Sequence, residues 1–315
     1  MAPAGELSAD TLEQLFQTHI AADLGRYQAV AVARPQLVVI GGQPGSGKSS
    51  GAYRYIQKFH DQGGLVPIIG DDYRRFHPQF LDVLTTDDTN LAGTTGPAAL
   101  WWVQAASAWC LDRRVNLLIE ATLRDGEQSF NPTVAARFAG AGYQINVISL
   151  AVPALISRLG IVHRYVQQRQ VAGGALWTTL EAHDRAFRSL PATLGALGRN
   201  PDIGRIVVRT RTEELAARPP GPALDHQAHL SPPGGIVEAL QRVHNTPPGP
   251  DQHADLAAHW HRIKGELTDT GRADHPAVAP LVNAIDLDLE QGARRDRPAL
   301  RSHRLPPQTE LQQPS

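Results

Sequence analysis

Short runs of apolar residues recur along the first two thirds of the chain, separated by longer amphipathic segments. They lie at residues 37–41, 66–70, 115–119, 145–152 and 205–208. Runs of this kind are typical of strands buried on both faces, and the intervening segments are long enough to hold crossover helices. The pattern therefore predicts an α/β fold in which a parallel sheet carries helices on both faces.

The sequence changes character after about residue 211. It becomes rich in Pro, Gly and His, and two helical stretches follow near 235–244 and 251–267. From residue 293 the chain has several prolines and few large apolar residues, so it can bury little surface. We expect a catalytic domain over 1–210, a small helical or irregular extension over 211–292 and a disordered tail over 293–315.

Composition narrows the classes of partner and compartment. The net charge is -1, so the chain as a whole has no basic field to hold nucleic acid or an anionic membrane. Cys110 is the single cysteine, which excludes an internal disulfide and favours a reducing compartment. No apolar run approaches the length of about 18 residues that a membrane helix needs. We expect a soluble cytoplasmic protein whose main partner is neither nucleic acid nor membrane.

The first apolar run leads directly into the segment GQPGSGKS, which matches the motif G-x-x-x-x-G-K-[ST]. Glycines at three of its positions permit a tight turn, and the following helix N-terminus favours phosphate. Lys48 would bridge the β- and γ-phosphates, and the Ser49 hydroxyl would hold Mg²⁺. The alternative is a glycine-rich turn with an incidental lysine. The predicted nucleotide-binding residues are Gly42, Gln43, Pro44, Gly45, Ser46, Gly47, Lys48, Ser49 and Ser50.

Polar residues follow the second and third apolar runs, where an open α/β sheet forms its ligand crevice. Asp71 and Asp72 follow the second run, and Glu120, Thr122 and Arg124 follow the third. A carboxylate beside the phosphates can bind Mg²⁺ through water or accept a proton from an acceptor hydroxyl. The alternatives are that an aspartate caps the next helix and that Glu120 pairs with Arg124.

A helix predicted after the fourth run carries Arg158, His163 and Arg164. The planar guanidinium of an arginine stays charged and can bind two phosphoryl oxygens at once. A role in phosphate binding and a place on a solvated helix face both remain open for these arginines. We expect His163 to lie on the surface.

These motifs, in this order, resemble the zeta toxin family of P-loop kinases from bacterial toxin-antitoxin modules. The resemblance runs from about residue 8 to about residue 210. It rests on the segments LVVIGGQPGSGKSS, GDDYRRFHPQF, NLLIEATLR, SLAVPALISRLGIVHRY and EAHDRAFRSLPATLGAL. It implies a P-loop kinase-like fold. It also implies an enzyme that transfers the γ-phosphate of ATP, or of GTP in its place, to UDP-N-acetylglucosamine. The acceptor would be the 3′-hydroxyl of the amino sugar, and the cofactor would be Mg²⁺. The reaction would interfere with the synthesis of cell-wall precursors.

Carried over position by position, the resemblance makes Asp71 the general base and Arg164 a contact of the ATP phosphates. The sugar nucleotide and the catalytic centre would be contacted by Glu120, Thr122 and Arg124. The family's toxin-antitoxin origin also implies a separate antitoxin protein as a partner.

Two departures from the family pattern affect these expectations. An acceptor-binding glutamate of the family is replaced by Gln104, and an arginine expected in the lid is absent where Leu176 and Trp177 stand. Arg169 lies upstream and could substitute for the lid arginine. Two alternatives to the UDP-N-acetylglucosamine kinase therefore stay open: a kinase of another hydroxylated metabolite or antibiotic, and a nucleotide-binding regulatory module with little catalysis.

Overall fold

The protein is described by a computed structural model over residues 6–124, 128–218 and 235–296. Within these ranges six strands form one sheet in the order β2-β3-β1-β4-β5-β6. The first five strands are parallel, and β6 runs antiparallel to β5 at the edge. Their bounds are Gln36–Gly41 (β1), Val66–Ile68 (β2), Leu117–Ala121 (β3), Gln144–Leu150 (β4), Arg205–Arg209 (β5) and Glu214–Arg218 (β6). The predicted parallel sheet is confirmed.

Burial on both faces of the sheet explains why its strands are continuous apolar runs. In β1, Leu37 and Val39 belong to one hydrophobic core, whereas Val38 and Ile40 belong to the core on the opposite face. Alternate side chains of a strand point to opposite faces, so both sets must be apolar. A central strand of this kind fixes the position of the loop that follows it.

Helices cover both faces of the sheet, as predicted. The first helical segment is capped by Ser8, whose hydroxyl accepts a hydrogen bond from the amide of Thr11. No helix of the described ranges is long and apolar enough to cross a membrane. The helices are Ala9–Leu15 (α1), Ala21–Gly25 (α2), Lys48–Lys58 (α3), Gly70–Tyr73 (α4), Phe80–Thr86 (α5), Leu91–Arg113 (α6), Pro132–Gly140 (α7), Ala154–Ala172 (α8), Leu180–Arg199 (α9), Gly235–Asn245 (α10), Pro250–Asp269 (α11) and Ala279–Asp296 (α12).

The region after residue 210 joins the rest of the fold in two places. Strand β6 pairs with β5, and α10 places Ile236 and Leu240 in the main core, so the boundary expected near residue 211 falls inside the sheet. Helices α11 and α12 pack on α8 around a second core that includes Trp260 and Ile285. The disordered tail predicted over 293–315 overlaps the end of α12, and residues 297–315 lie outside the described ranges.

Candidate active site

The phosphate-loop motif lies between β1 and α3, where its glycines permit a close approach to α8. Gly45 and Gly47 have φ angles of 76° and 95°, which side chains rarely adopt. A Cβ added to Gly45 would lie 1.9 Å from the carbonyl oxygen of Ser157, and one added to Gly160 would lie 2.5 Å from the carbonyl oxygen of Gly45. The first amides of α3 have no acceptor within the helix, so they can bind phosphate oxygens.

Lys48, Ser49 and Glu120 meet where β3 ends and α3 begins. The Lys48 ammonium donates to the carbonyl oxygens of Gly42 (2.9 Å) and Gln43 (3.2 Å) and lies 3.9 Å from a Glu120 carboxylate oxygen. The Ser49 hydroxyl donates to the other Glu120 oxygen at 3.0 Å. Burial raises the pKa of Glu120, and the Lys48 charge only partly offsets that effect. This group places one cation, the Lys48 ammonium, and two kinds of oxygen ligand, a hydroxyl and a carboxylate, beside the loop.

Asp71 faces the same cleft from α4. Its carboxylate accepts a hydrogen bond from Nε of Arg74 at 2.9 Å, and its other oxygen lies 3.7 Å from Arg164. Desolvation in the cleft opposes ionisation, but the Arg74 and Arg164 charges outweigh it and hold the Asp71 pKa below its usual range. Helix α4 has Ile69 at its N-cap, without a side-chain cap bond, so neither Asp71 nor Asp72 serves as that cap. Asp71 is therefore an ionised carboxylate at neutral pH.

These groups line one cleft of about 1320 Å³. The predicted residues in its wall are Pro44, Gly45, Gly47, Lys48, Ser49, Ser50, Asp71, Glu120, Thr122, Arg124 and Arg164. Gly42, Gln43 and Ser46 lie beneath it, and Gln43 is a support: its buried amide donates to the carbonyl oxygen of Val152 at 2.7 Å. Asp72 lines a smaller neighbouring cavity instead, between α5 and α8.

Gln104 does not belong to this cleft. Its side chain is exposed on α6, and the cleft-lining part of that helix ends at Val103. Gln104 lies one helical turn after Leu100, which lines the cleft, and beyond it the helix contributes Ala106 and Cys110 to the main core. Contact between Gln104 and the acceptor therefore stays a prediction.

Two arginines considered from sequence are held in ion pairs elsewhere. Arg169 pairs with the buried carboxylate of Asp88 and is not among the residues that line the cleft. Arg158 pairs with Asp184 at 2.9 Å and with Asp288 at 2.6 Å, which ties α8 to α9 and α12. Arg158 thus faces α9 and α12, and Arg169 faces the connection between α5 and α6.

Sequence reasoning missed four cleft-lining arginines: Arg74, Arg185, Arg209 and Arg211. Arg74 lies three residues after Asp71, the spacing at which helical side chains meet. Arg209 and Arg211 follow the fifth apolar run, so the rule that led to the other strand ends would have found them. Arg211 donates to the carbonyl oxygens of Ser46 (3.2 Å) and Gly45 (2.9 Å) and so braces the phosphate loop.

The model of the family described as Zeta toxin matches residues 21–217. The chain belongs to the zeta toxin family. A relative named Toxin zeta, from Enterococcus hirae, is 29% identical over 190 residues. That alignment covers 60% of this chain and 62% of the relative, so the match spans less than two thirds of the relative's length.

Solved structures of low sequence identity share the fold. A structure from the PezAT chromosomal toxin-antitoxin system of Streptococcus pneumoniae has a TM-score of 0.66 and 20% identity. The alignment covers 84% of this chain and 99% of the PezAT chain. The complex of AvrRxo1-ORF1 and -ORF2 with ATP has a TM-score of 0.55 and 9% identity, over 88% of each chain. The architecture around the phosphate loop therefore occurs in proteins whose sequences differ widely.

Proposed function

We propose that the chain is an ATP- and Mg²⁺-dependent kinase of a sugar nucleotide, with the 3′-hydroxyl of the amino sugar of UDP-N-acetylglucosamine as acceptor. One observation carries the proposal: an ionised Asp71 faces the same cleft as the Lys48, Ser49 and Glu120 group at the phosphate loop. A base and a phosphate cradle in one cavity are the two halves of a phosphoryl-transfer site.

Asp71 accepts the proton of the acceptor hydroxyl while the acceptor oxygen bonds to the γ-phosphorus. The bond between that phosphorus and the β–γ bridging oxygen breaks, and ADP leaves with the electron pair. Lys48 and Arg164 offset the charge on the transferring phosphoryl oxygens. Arg74 holds the carboxylate of Asp71 through its 2.9 Å hydrogen bond, so the base keeps one orientation.

Mg²⁺ fits the oxygen atoms beside the loop. The Ser49 hydroxyl and the Glu120 carboxylate lie 3.0 Å apart, and a hydroxyl and a carboxylate are ligands that this cation prefers. Bound there with the nucleotide, Mg²⁺ would neutralise phosphate charge. Its binding would also offset the desolvation that raises the Glu120 pKa, because it favours the ionised carboxylate.

The charge of the cleft favours an acceptor that itself carries phosphate. The described lining includes Lys48 and six arginines but only two carboxylates, whereas the whole chain has a net charge of -1. Such a concentration of positive charge attracts polyanions and repels polycations. A nucleoside diphosphate sugar fits that field, with Thr122 and Arg124 at the acceptor side. A polyamine antibiotic fits it poorly, although a neutral hydroxylated metabolite stays an alternative.

One feature of the cleft supports the alternative of a regulatory module that binds nucleotide without transferring phosphate: an arginine of the family pattern is missing. Leu176 and Trp177 line the cleft where the family resemblance implies an arginine, and Arg169 is paired with Asp88.

Family membership and the fold shared with PezAT also lead us to propose a separate antitoxin as partner. We place the reaction in the cytoplasm, where a single buried cysteine is stable as a free thiol.

Incubation with Mg²⁺, ATP and a panel of acceptors, followed by mass spectrometry, tests the proposal. The panel contains UDP-N-acetylglucosamine, UDP-glucose, free N-acetylglucosamine and hydroxylated antibiotics, with GTP replacing ATP in a parallel series. We expect a gain of one phosphate on UDP-N-acetylglucosamine, at the 3′ position by NMR. Phosphorylation of an antibiotic alone would favour the alternative kinase. Nucleotide binding without any phosphorylated product would favour the regulatory module.

A further inference from the structure

One wall of the cleft is a segment without helix or strand. Residues 173–179 connect α8 to α9, and Leu176, Trp177, Thr178 and Thr179 of this wall segment line the cleft. Backbone hydrogen bonds of a helix or sheet do not fix such a segment, so its conformation depends on contacts with its neighbours. The contacts that hold the wall segment therefore determine the shape of the cleft.

The buried carboxylate of Asp88 is the first of these contacts. Its side chain is fully buried, and one oxygen accepts a hydrogen bond from the backbone amide of Ala175 at 3.1 Å. The same carboxylate accepts from the Tyr165 hydroxyl at 3.0 Å and pairs with Arg169 and with Arg272, the latter at 3.3 Å. A buried carboxylate is costly unless donors and cations surround it, so each of these partners helps to keep it in place.

The C-terminal helix pair supplies two of the holding groups. Arg272 and Ala277 both lie in the connection between α11 and α12. Arg272 reaches Asp88, and the carbonyl oxygen of Ala277 accepts a hydrogen bond from the Trp177 indole at 2.9 Å. The wall segment is thus held from outside by residues that lie more than 50 positions beyond residue 217, where the family match ends.

The wall segment also contacts the catalytic groups. The Thr178 hydroxyl accepts a hydrogen bond from the Arg164 guanidinium at 3.3 Å. Arg164 in turn lies 3.7 Å from Asp71. A chain of contacts therefore runs from Arg272 through Asp88 to the wall segment, and from Thr178 to the arginine and carboxylate proposed for catalysis.

We propose that Arg272 is a positioning residue for the kinase site: through Asp88 it fixes the wall segment, and through Thr178 it fixes the orientation of Arg164. By this inference, helices α11 and α12 hold the wall segment of the catalytic cleft in position. The kinetic part of the inference rests on the proposed kinase function. Its structural part concerns the wall segment alone and holds for any ligand of the cleft.

Three variants of the full chain test the proposal. Arg272→Met removes the cation, and Arg272→Lys keeps it; the contact with Asp88 is a single nitrogen on a single oxygen, which an ammonium can supply. Lys264→Ala is the matched control, because Lys264 pairs with Asp286 at 2.7 Å within the same helix pair without reaching the wall segment. Hydrogen exchange at the amides of residues 174–178, thermal melting, kcat and KM are measured for each.

In Arg272→Met we expect faster exchange at residues 174–178 and a kcat lowered about 10- to 100-fold, because small misplacements of reacting groups cost this much. KM for ATP should change little, since the phosphate loop is held separately. Arg272→Lys should restore both readouts, and Lys264→Ala should alter neither.

Unchanged exchange in Arg272→Met, no recovery in Arg272→Lys, or the same kcat loss in Lys264→Ala would overturn the inference. If the wild-type chain phosphorylates no acceptor of the panel, the proposed function fails instead, and the exchange comparison alone decides whether Arg272 fixes the wall segment.

Discussion

Replacement of Asp71 by Asn removes the proposed base and nearly preserves its shape. The side chain is 44% exposed to the cleft, so loss of its ion pairs should change the free energy of unfolding by about 1 kcal/mol or less. Arg74 retains partners in the variant, because it also donates to the Thr95 hydroxyl at 2.9 Å and to the carbonyl oxygen of Ala92. The fold should therefore survive the substitution.

The loss in rate should be much larger than the loss in stability. General-base catalysis contributes about 10²- to 10⁴-fold, which corresponds to roughly 3–5 kcal/mol of activation free energy. ATP affinity should hold or rise slightly, because Asp71→Asn removes a negative charge from a site that binds phosphates. The charge of Asp71 also contributes to the raised pKa of Glu120, so this pKa should fall in the variant.

The assay compares ADP release in the presence of acceptor, ATP binding by calorimetry and thermal melting. Asp72→Asn is the control, since Asp72 lies on the same short helix but outside the catalytic cleft. A kcat for Asp71→Asn within threefold of wild type would refute the assignment of the base. A matching loss in Asp72→Asn would show that α4 as a whole, rather than the Asp71 carboxylate, supports turnover.

Three further outcomes test the nucleotide half of the site. Lys48→Met should lower kcat about 10²- to 10³-fold, as loss of a preorganised donor does, which is measured by steady-state kinetics. Because burial raises the Glu120 pKa in the chain without Mg²⁺, binding of Mg²⁺ with ATP should lower it, and an NMR titration of the Glu120 carboxyl with and without Mg²⁺ and ATP should show that fall. Gly45→Ala should abolish ATP binding in calorimetry, because its Cβ would lie 1.9 Å from the Ser157 carbonyl oxygen. Gly265→Ala, with open space around the position, should bind ATP normally.

The phosphate loop could be predicted from the sequence because its residues are neighbours along the chain. The run at 37–41 predicts a buried strand, and the glycines and lysine that follow it match a motif that is typical of a loop leading into a helix. The structure has strand β1 and helix α3 on either side of that loop. Strand β6 was missed, since Glu214–Arg218 is a short edge strand with charged ends and no continuous apolar run.

Long-range placement accounts for the contacts that the sequence did not predict. An aspartate such as Asp88 looks like a surface residue in sequence, yet it is fully buried because two arginines and a tyrosine from distant segments surround it. Arg169 seemed available for the lid for the same reason. Gln104 was assigned to the acceptor by its place in the family pattern; the residues of α6 that line the cleft end at Val103, and the contact of Gln104 stays a prediction. None of these outcomes follows from spacing along the chain.

The charge that a lid arginine would supply must come from other residues of the cleft. Arg169 pairs with Asp88, and Arg211 donates to the carbonyl oxygens of the phosphate loop. Arg185 lines the cleft from the first turns of α9, and its 2.7 Å pair with Glu181 is exposed and therefore weak. Because this ion pair contributes little free energy, the Arg185 guanidinium can leave the Glu181 carboxylate and bind a phosphate instead. We therefore expect Arg185 to contribute, together with Arg164, to the positive charge that the described cleft offers a phosphoryl group.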